Sequence, residues 1–260
     1  MNEQKKNLNE SDSKLGVFPE LTMENIEIVE KEVNGHMTYG EKANEKELKD
    51  YFNLGNNALN KERNIVLHKI FLIDYTNSTN LYRQKKKITV FALAERITRI
   101  KDLDQKIRDG NIDIVKELAE QTYDLNADNS NTTEEHSSNQ GTVNLFSFAS
   151  KYCLYHNRIC YDGDDYSIYD RVVANAIPHY LENTTQYSSE KCRRNMDYLS
   201  YHNYISEIID LYGLTGKGIR RKLDHFLWFP NKLKYYNNIN AKKKNKGTSS
   251  SVDSSTNNHD

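Results

Sequence analysis

A carboxylate and an amine stand inside one of the most apolar stretches of the chain, NLFSFASKYCLYHNRICYDGDDYSIYDRVVANAIPHYL, from Asn144 to Leu181. Asp170 lies between Ile168-Tyr169 and Val172-Val173. An acid in that setting is either a buried cap or a tuned functional acid, because desolvation and nearby charge move its pKa. Its place ahead of Arg171-Val172-Val173-Ala174 suits a helix cap, where a carboxylate accepts from the first free backbone N–H groups. Lys151 has the apolar neighbours Phe148, Tyr152 and Leu154. An ordinary amine is protonated at pH 7; burial lowers its pKa and makes the neutral nucleophile available. The alternative is a lysine that lays its stem on a core helix and sends its head to solvent.

Other polar groups point elsewhere. The turn Asp162-Gly163-Asp164-Asp165 lacks the twelve-residue calcium-loop pattern with its terminal Glu. His156, His179 and His202 are dispersed, and no His-Glu-x-x-His occurs, so neither a metal nor a cofactor is expected. Three cysteines, Cys153, Cys160 and Cys192, cannot all pair and form no Cys-x-x-Cys, which fits buried or free thiols in a reducing cytosol. Two basic clusters suit phosphate: Lys85-Lys86-Lys87, and Lys217 with Arg220-Arg221-Lys222. The second follows Gly213-Leu214-Thr215-Gly216 at a helix start, where free N–H groups and the helix dipole favour an anion. A solvated helix face is the competing reading of both.

The arrangement around Lys151 and Asp170 resembles the core of the helix-hairpin-helix DNA glycosylases, the 8-oxoguanine glycosylases among them. An apolar helix carries a lysine, a turn follows, and Ser167-Ile168-Tyr169-Asp170-Arg171-Val172-Val173 opens the next helix. Asn139-Gln140-Gly141-Thr142 stands where that family has its Gly-x-Gly hairpin. The resemblance covers about forty residues. It implies that Lys151 attacks the sugar, that Asp170 assists from the base pocket, and that DNA is the partner. A flipped base needs aromatic surfaces, for which Tyr152, Tyr155, Tyr166 and Tyr169 are candidates, and Gly216, Lys217, Arg220, Arg221 and Lys222 would hold the DNA backbone.

The elements that must position these residues are helical. Apolar residues recur at helical spacing in Ala58–Tyr75, Lys85–Asp104, Ile112–Leu125, Asn195–Tyr212 and Gly218–Trp228, and are only partly in helical phase in Leu21–Val33, read as a short helix. In Lys85–Asp104 the expected buried stripe is Ile88, Phe91, Ala92, Ala94, Ile97, Ile100 and Leu103. Thr76-Asn77-Ser78-Thr79-Asn80 reads as a break, since such side chains bond their own backbone. No segment alternates with period two. The expectation is an all-α, glycosylase-like bundle of roughly eight helices.

Its layout follows from composition. Residues 1–20 and 231–260 read as disordered polar tails, 21–127 as an N-terminal helical lobe, 128–141 as a polar loop, and 142–230 as a second lobe, which the resemblance makes helix-hairpin-helix-like. Of 260 residues 37% are hydrophobic and 28% charged, with a net charge of −1, which argues against a strong global attraction to nucleic acid and leaves room for a local basic face. No apolar run is long enough for a membrane span, and the N-terminus has no secretory apolar core, so a cytoplasmic protein is expected. Eighteen tyrosines serve equally for packing and for base stacking. The resemblance implies a DNA-binding protein that recognises base lesions, with N-glycosylase and lyase chemistry from Lys151 and Asp170. The rival is a non-catalytic helical module of the same fold that binds a protein or nucleic acid.

Overall fold

The computed structural model describes residues 14–37, 39–55, 59–77, 79, 81, 88–124, 140–181 and 196–232. The described chain is all-α in class. Its helices are α1 (Met23–His36), α2 (Tyr39–Asn53), α3 (Arg63–Asn77), α4 (Val90–Arg99), α5 (Leu103–Arg108), α6 (Asp113–Ala119), α7 (Phe146–Tyr161), α8 (Arg171–Leu181), α9 (Tyr198–Leu211) and α10 (Ile219–Trp228). Strands β1 (Glu120–Asp124) and β2 (Gln140–Asn144) form one antiparallel hairpin, with Glu120 opposite Asn144. Among the described residues no helix is long and apolar enough to cross a membrane.

Caps and apolar phase explain where the helices begin. Thr22 Oγ1 accepts from Asn25 N at 3.1 Å, Thr89 Oγ1 from Ala92 N at 3.1 Å, and Asp197 Oδ1 from Ser200 N at 2.8 Å. The Thr89 cap sets the phase of α4, so that Leu93, Ala94 and Ile97 face inward. Phe91 and Ala92, expected in the buried stripe, are exposed instead, and Arg63 lies 5.5 Å over the Phe91 ring. The expected single helix through Asp104 is broken at Asp102, which is left-handed (φ +56°), and resumes as α5.

The expected helix Ile112–Leu125 is likewise shorter. Its inward residues Ile114, Val115, Leu118 and Ala119 belong to α6, and Glu120 then enters β1. The Ala119 carbonyl accepts from Leu145 N at 3.1 Å, so the chain leaving α6 is held against the chain entering α7. Residues 14–20, read from sequence as tail, also pack. Phe18 N donates to Asn231 Oδ1 at 3.1 Å, Tyr180 OH to Pro19 O at 2.9 Å, and the Phe18 ring stacks on His179. Residues 1–13 and 233–260, Lys85-Lys86-Lys87, Cys192 and most of the 128–141 segment lie outside the described residues.

One apolar core draws side chains from both sides of that segment, from Ile26 and Val66 to Leu223 and Phe226. Its axis is α7, buried from Phe146 to Asn157 except for half-buried Ser147. A helix buried all round is normally apolar. This one carries Ser150, Lys151, His156 and Asn157 inside, and each buried polar group must find a partner. Ser150 Oγ accepts from Tyr169 N at 2.9 Å, which fixes the chain entering α8. Asn157 Nδ2 donates to Ile107 O at 2.9 Å and to Asp165 at 2.8 Å, tying the turn after α7 to the end of α5. The polar residues of α7 therefore organise the elements around it.

Candidate functional site

Lys151 projects from α7 with 8% of its surface exposed. Its Nζ donates to Ser147 Oγ at 3.1 Å, one helical turn earlier, and to the Asn77 carbonyl at 3.4 Å, at the end of α3. Burial pushes the amine below its ordinary pKa, and the negative charges of Asp170, Asp224 and Asp74 oppose that fall.

Asp170 opens α8. One carboxylate oxygen accepts from Val172 N at 2.6 Å and from Val173 N at 3.4 Å, so the side chain caps the helix. Its charge also reaches Lys151, Asp224 and buried Tyr201. The cap holds one oxygen and fixes the rotamer of the acid.

The third member of the cluster, Asp224, comes from α10. It is largely buried, with Arg221 Nη1 2.7 Å from its carboxylate. Burial raises the Asp224 pKa although Arg221 and His225 favour its charge. Burial also opposes the Arg221 charge, and Tyr155, Asp224, Glu45 and Glu30 around it outweigh that and hold its pKa up. The same helix is tied to α1, with Lys222 Nζ 2.6 Å from Glu27 and His225 Nδ1 2.6 Å from Glu30. The His225 hydrogen bond lowers the Glu30 pKa against its partial burial.

The tyrosines expected to stack a base are committed to other bonds. Tyr152 is fully buried and donates to Asn60 Oδ1 at 2.6 Å. Tyr155 donates to Asn77 Oδ1 at 2.8 Å. Tyr166 is buried, with its hydroxyl 3.1 Å from Asn111 O and 3.3 Å from Lys106 O. Tyr169 donates to Met196 O at 3.1 Å and packs against Phe146 and Tyr201. Of the four, Tyr169 alone retains appreciable exposure.

At the expected backbone-binding turn, the chain supplies its own anions. Asp164 accepts from Arg220 N at 3.1 Å, at the N-terminus of α10. That is the place where a helix dipole and free N–H groups would receive a phosphate. Burial raises the Asp164 pKa, opposed by the Arg220 N–H and guanidinium. The Arg220 guanidinium turns inward to Ser167 Oγ at 3.3 Å and Ser206 Oγ at 2.8 Å. Lys217 is the exposed cation here, paired at 2.7 Å with equally exposed Asp162. A cavity of about 130 Å³ lies between this turn and the end of α7, lined by Arg158, Asp162, Gly163, Asp164, Gly216, Lys217 and Gly218. Neither Lys151 nor Asp170 lines it.

The structure thus brings Lys151 and Asp170 within electrostatic reach of each other, with no ion pair between them among the described residues, and adds Asp224, Arg221, Ser147 and Asn77, none of which the sequence reading placed at the amine. Asp224 carries the one available signal, an acid close to the inward stripe Leu223, Phe226 and Leu227 of its helix. Asn77 and Ser147 carry none, because a main-chain acceptor and a small hydroxyl look alike anywhere in a sequence. Among the described residues no group of three His, Cys, Asp or Glu is arranged to hold a metal ion.

No solved structure matches the chain. An uncharacterized protein of Haemophilus influenzae is 28% identical over 163 residues, covering 63% of this chain and 64% of that protein. The chain therefore spans less than two thirds of the length of the curated relative it matches. Residues 24–160, which hold α1 to α7 and Lys151 but not Asp170 or Asp224, match a family model described as the HI_0787_N N-terminal domain. That match takes in more than half of the chain, which accordingly belongs to the HI_0787_N family.

Proposed function

We propose that the protein recognises base lesions in duplex DNA and removes the base as an N-glycosylase with lyase activity. The observation that carries this reading is the Lys151 amine, buried in α7, lowered by that burial and acted on by the Asp170 and Asp224 carboxylates. The neutral amine bonds to the sugar carbon as the carbon–base bond breaks. The base leaves with the bonding pair and takes up a proton equivalent to the one the amine loses. Asp170, fixed by its cap, stabilises the positive charge that develops on the sugar. Sugar-ring opening then gives a Schiff base to Lys151.

Borohydride reduces that Schiff base to a stable protein–DNA adduct. The wild type is expected to be trapped on a lesion-bearing duplex and Lys151→Ala is not. Asp170→Asn keeps the fold, because an amide oxygen still caps α8, and traps more slowly. Equal trapping by wild type and Lys151→Ala, or none by either, removes the reading.

The rival, a non-catalytic helical module, is favoured by the intramolecular partners of Arg220, Arg221, Lys222 and Lys217. It predicts no trapping by the wild type on any lesion.

A further inference from the structure

We infer that Asn77 is a positioning residue for the Lys151 amine, a role that rests on the reading of Lys151 as the nucleophile. Asn77 ends α3, and its carbonyl is one of the last four that a helix leaves without an internal partner. The negative end of the helix dipole lies there too. Lys151 Nζ donates to that carbonyl at 3.4 Å and to Ser147 Oγ at 3.1 Å. Two acceptors therefore take two amine hydrogens, and in the neutral amine the lone pair is left pointing away from both.

The Asn77 side chain is what keeps the carbonyl in place. Its Oδ1 accepts from Tyr155 OH at 2.8 Å, and its Nδ2 donates to Thr76 Oγ1 at 2.7 Å. Thr76 Oγ1 in turn donates to Leu72 O at 2.7 Å. Ser147, Lys151 and Tyr155 lie at i, i+4 and i+8 on α7, so one stripe of that helix grips Asn77 at two points. Lys151 and Tyr155 are both buried, so water competes little for these bonds. Tyr155, expected from sequence to stack a base, becomes the residue that fixes α3 against the amine.

The test uses the full chain with 13Cε-labelled lysine. The Lys151 resonance is assigned by its loss in Lys151→Arg, and its titration midpoint is read in wild type, Tyr155→Phe and Asn77→Ala. Loosening an acceptor of the charged amine lowers the midpoint, by about half a pKa unit. On saturating lesion duplex, borohydride trapping slows by about tenfold while duplex affinity is unchanged. More neutral amine with slower chemistry is the signature of lost position. An unchanged midpoint in folded Tyr155→Phe overturns the inference, as does a lowered midpoint with wild-type trapping. Tyr155→Phe removes a single oxygen and decides the matter if Asn77→Ala unfolds. If the wild type does not trap at all, the glycosylase reading fails, and the midpoint alone decides whether Asn77 holds the amine.

Discussion

Lys69 has no exposed surface, and among the described residues no carboxylate is directly bonded to it. Its three N–H donors meet three acceptors: Asn60 Oδ1 at 3.0 Å, His156 Nε2 at 3.0 Å and Leu59 O at 3.4 Å. The Phe52 ring lies 5.1 Å from the ammonium. Asn60 Nδ2 also donates towards His156 Nε2, at 2.9 Å, so that nitrogen is an acceptor and the imidazole proton sits on Nδ1. Burial, with the Lys69 charge beside it, holds the His156 pKa well below its ordinary value, consistent with that neutral tautomer. Burial brings the Lys69 pKa from 10.5 down to about 8. A base whose folded pKa is depressed costs stability below that pKa, and the cost is relieved as pH rises to the unfolded value. Between pH 8 and 10.5 the wild type is therefore expected to gain about 3 kcal/mol relative to Lys69→Met. Urea denaturation of both proteins across that range checks this, and a pH-independent difference contradicts it.

At the scale of elements, the α7–α8 turn is the tightest joint in the described chain. A Cβ on Gly163 would lie 2.3 Å from Asn157 Oδ1 and 2.6 Å from Asn157 Cγ. Asn157 cannot swing aside freely, since its amide is bonded to Ile107 O and Asp165. Gly163→Ala should destabilise the protein by about 1–3 kcal/mol through this overpacking. In an Asn157→Ala background the same substitution should cost almost nothing, because the obstructing amide is gone. Additive losses in the double mutant, measured by chemical denaturation, would show that the strain lies elsewhere. The joint bears on the proposed chemistry because it sets the direction from Lys151 on α7 to Asp170 at the start of α8.

For the molecule as a whole, the basic cluster of α10 divides by burial. Arg221→Ala leaves the largely buried Asp224 carboxylate without its partner at 2.7 Å. The expected loss is on the order of 3 kcal/mol, seen as a lowered melting temperature. Lys217→Ala removes an exposed ion pair with Asp162 and should leave stability nearly unchanged. If Lys217 meets a phosphate, that variant lowers the salt slope of duplex binding by about one. Unaltered stability in Arg221→Ala would show that the pair does not bridge the cluster to the core. An unaltered salt slope in Lys217→Ala would show that Lys217 meets no phosphate.

Helical periodicity by itself located most of the helices and their inward sides, since each apolar stripe is a local property of one segment. Leu223, Phe226 and Leu227 in α10 and Ile114, Val115 and Leu118 in α6 are read this way. Local chemistry likewise marked Asp170 as a cap and Lys151 as a lysine in apolar company. Periodicity does not say which helix packs on which. The partners of Lys151 and Tyr155 lie 74 and 78 residues away in Asn77, and that of Lys69 lies 87 residues away in His156. β1 was lost within a helical pattern for the same reason, because its partner β2 returns from beyond residue 139. The approach of Asp224 to Lys151 and of Asp164 to the start of α10 depends on α10 packing against α1 and α8, and only the packed core fixes that.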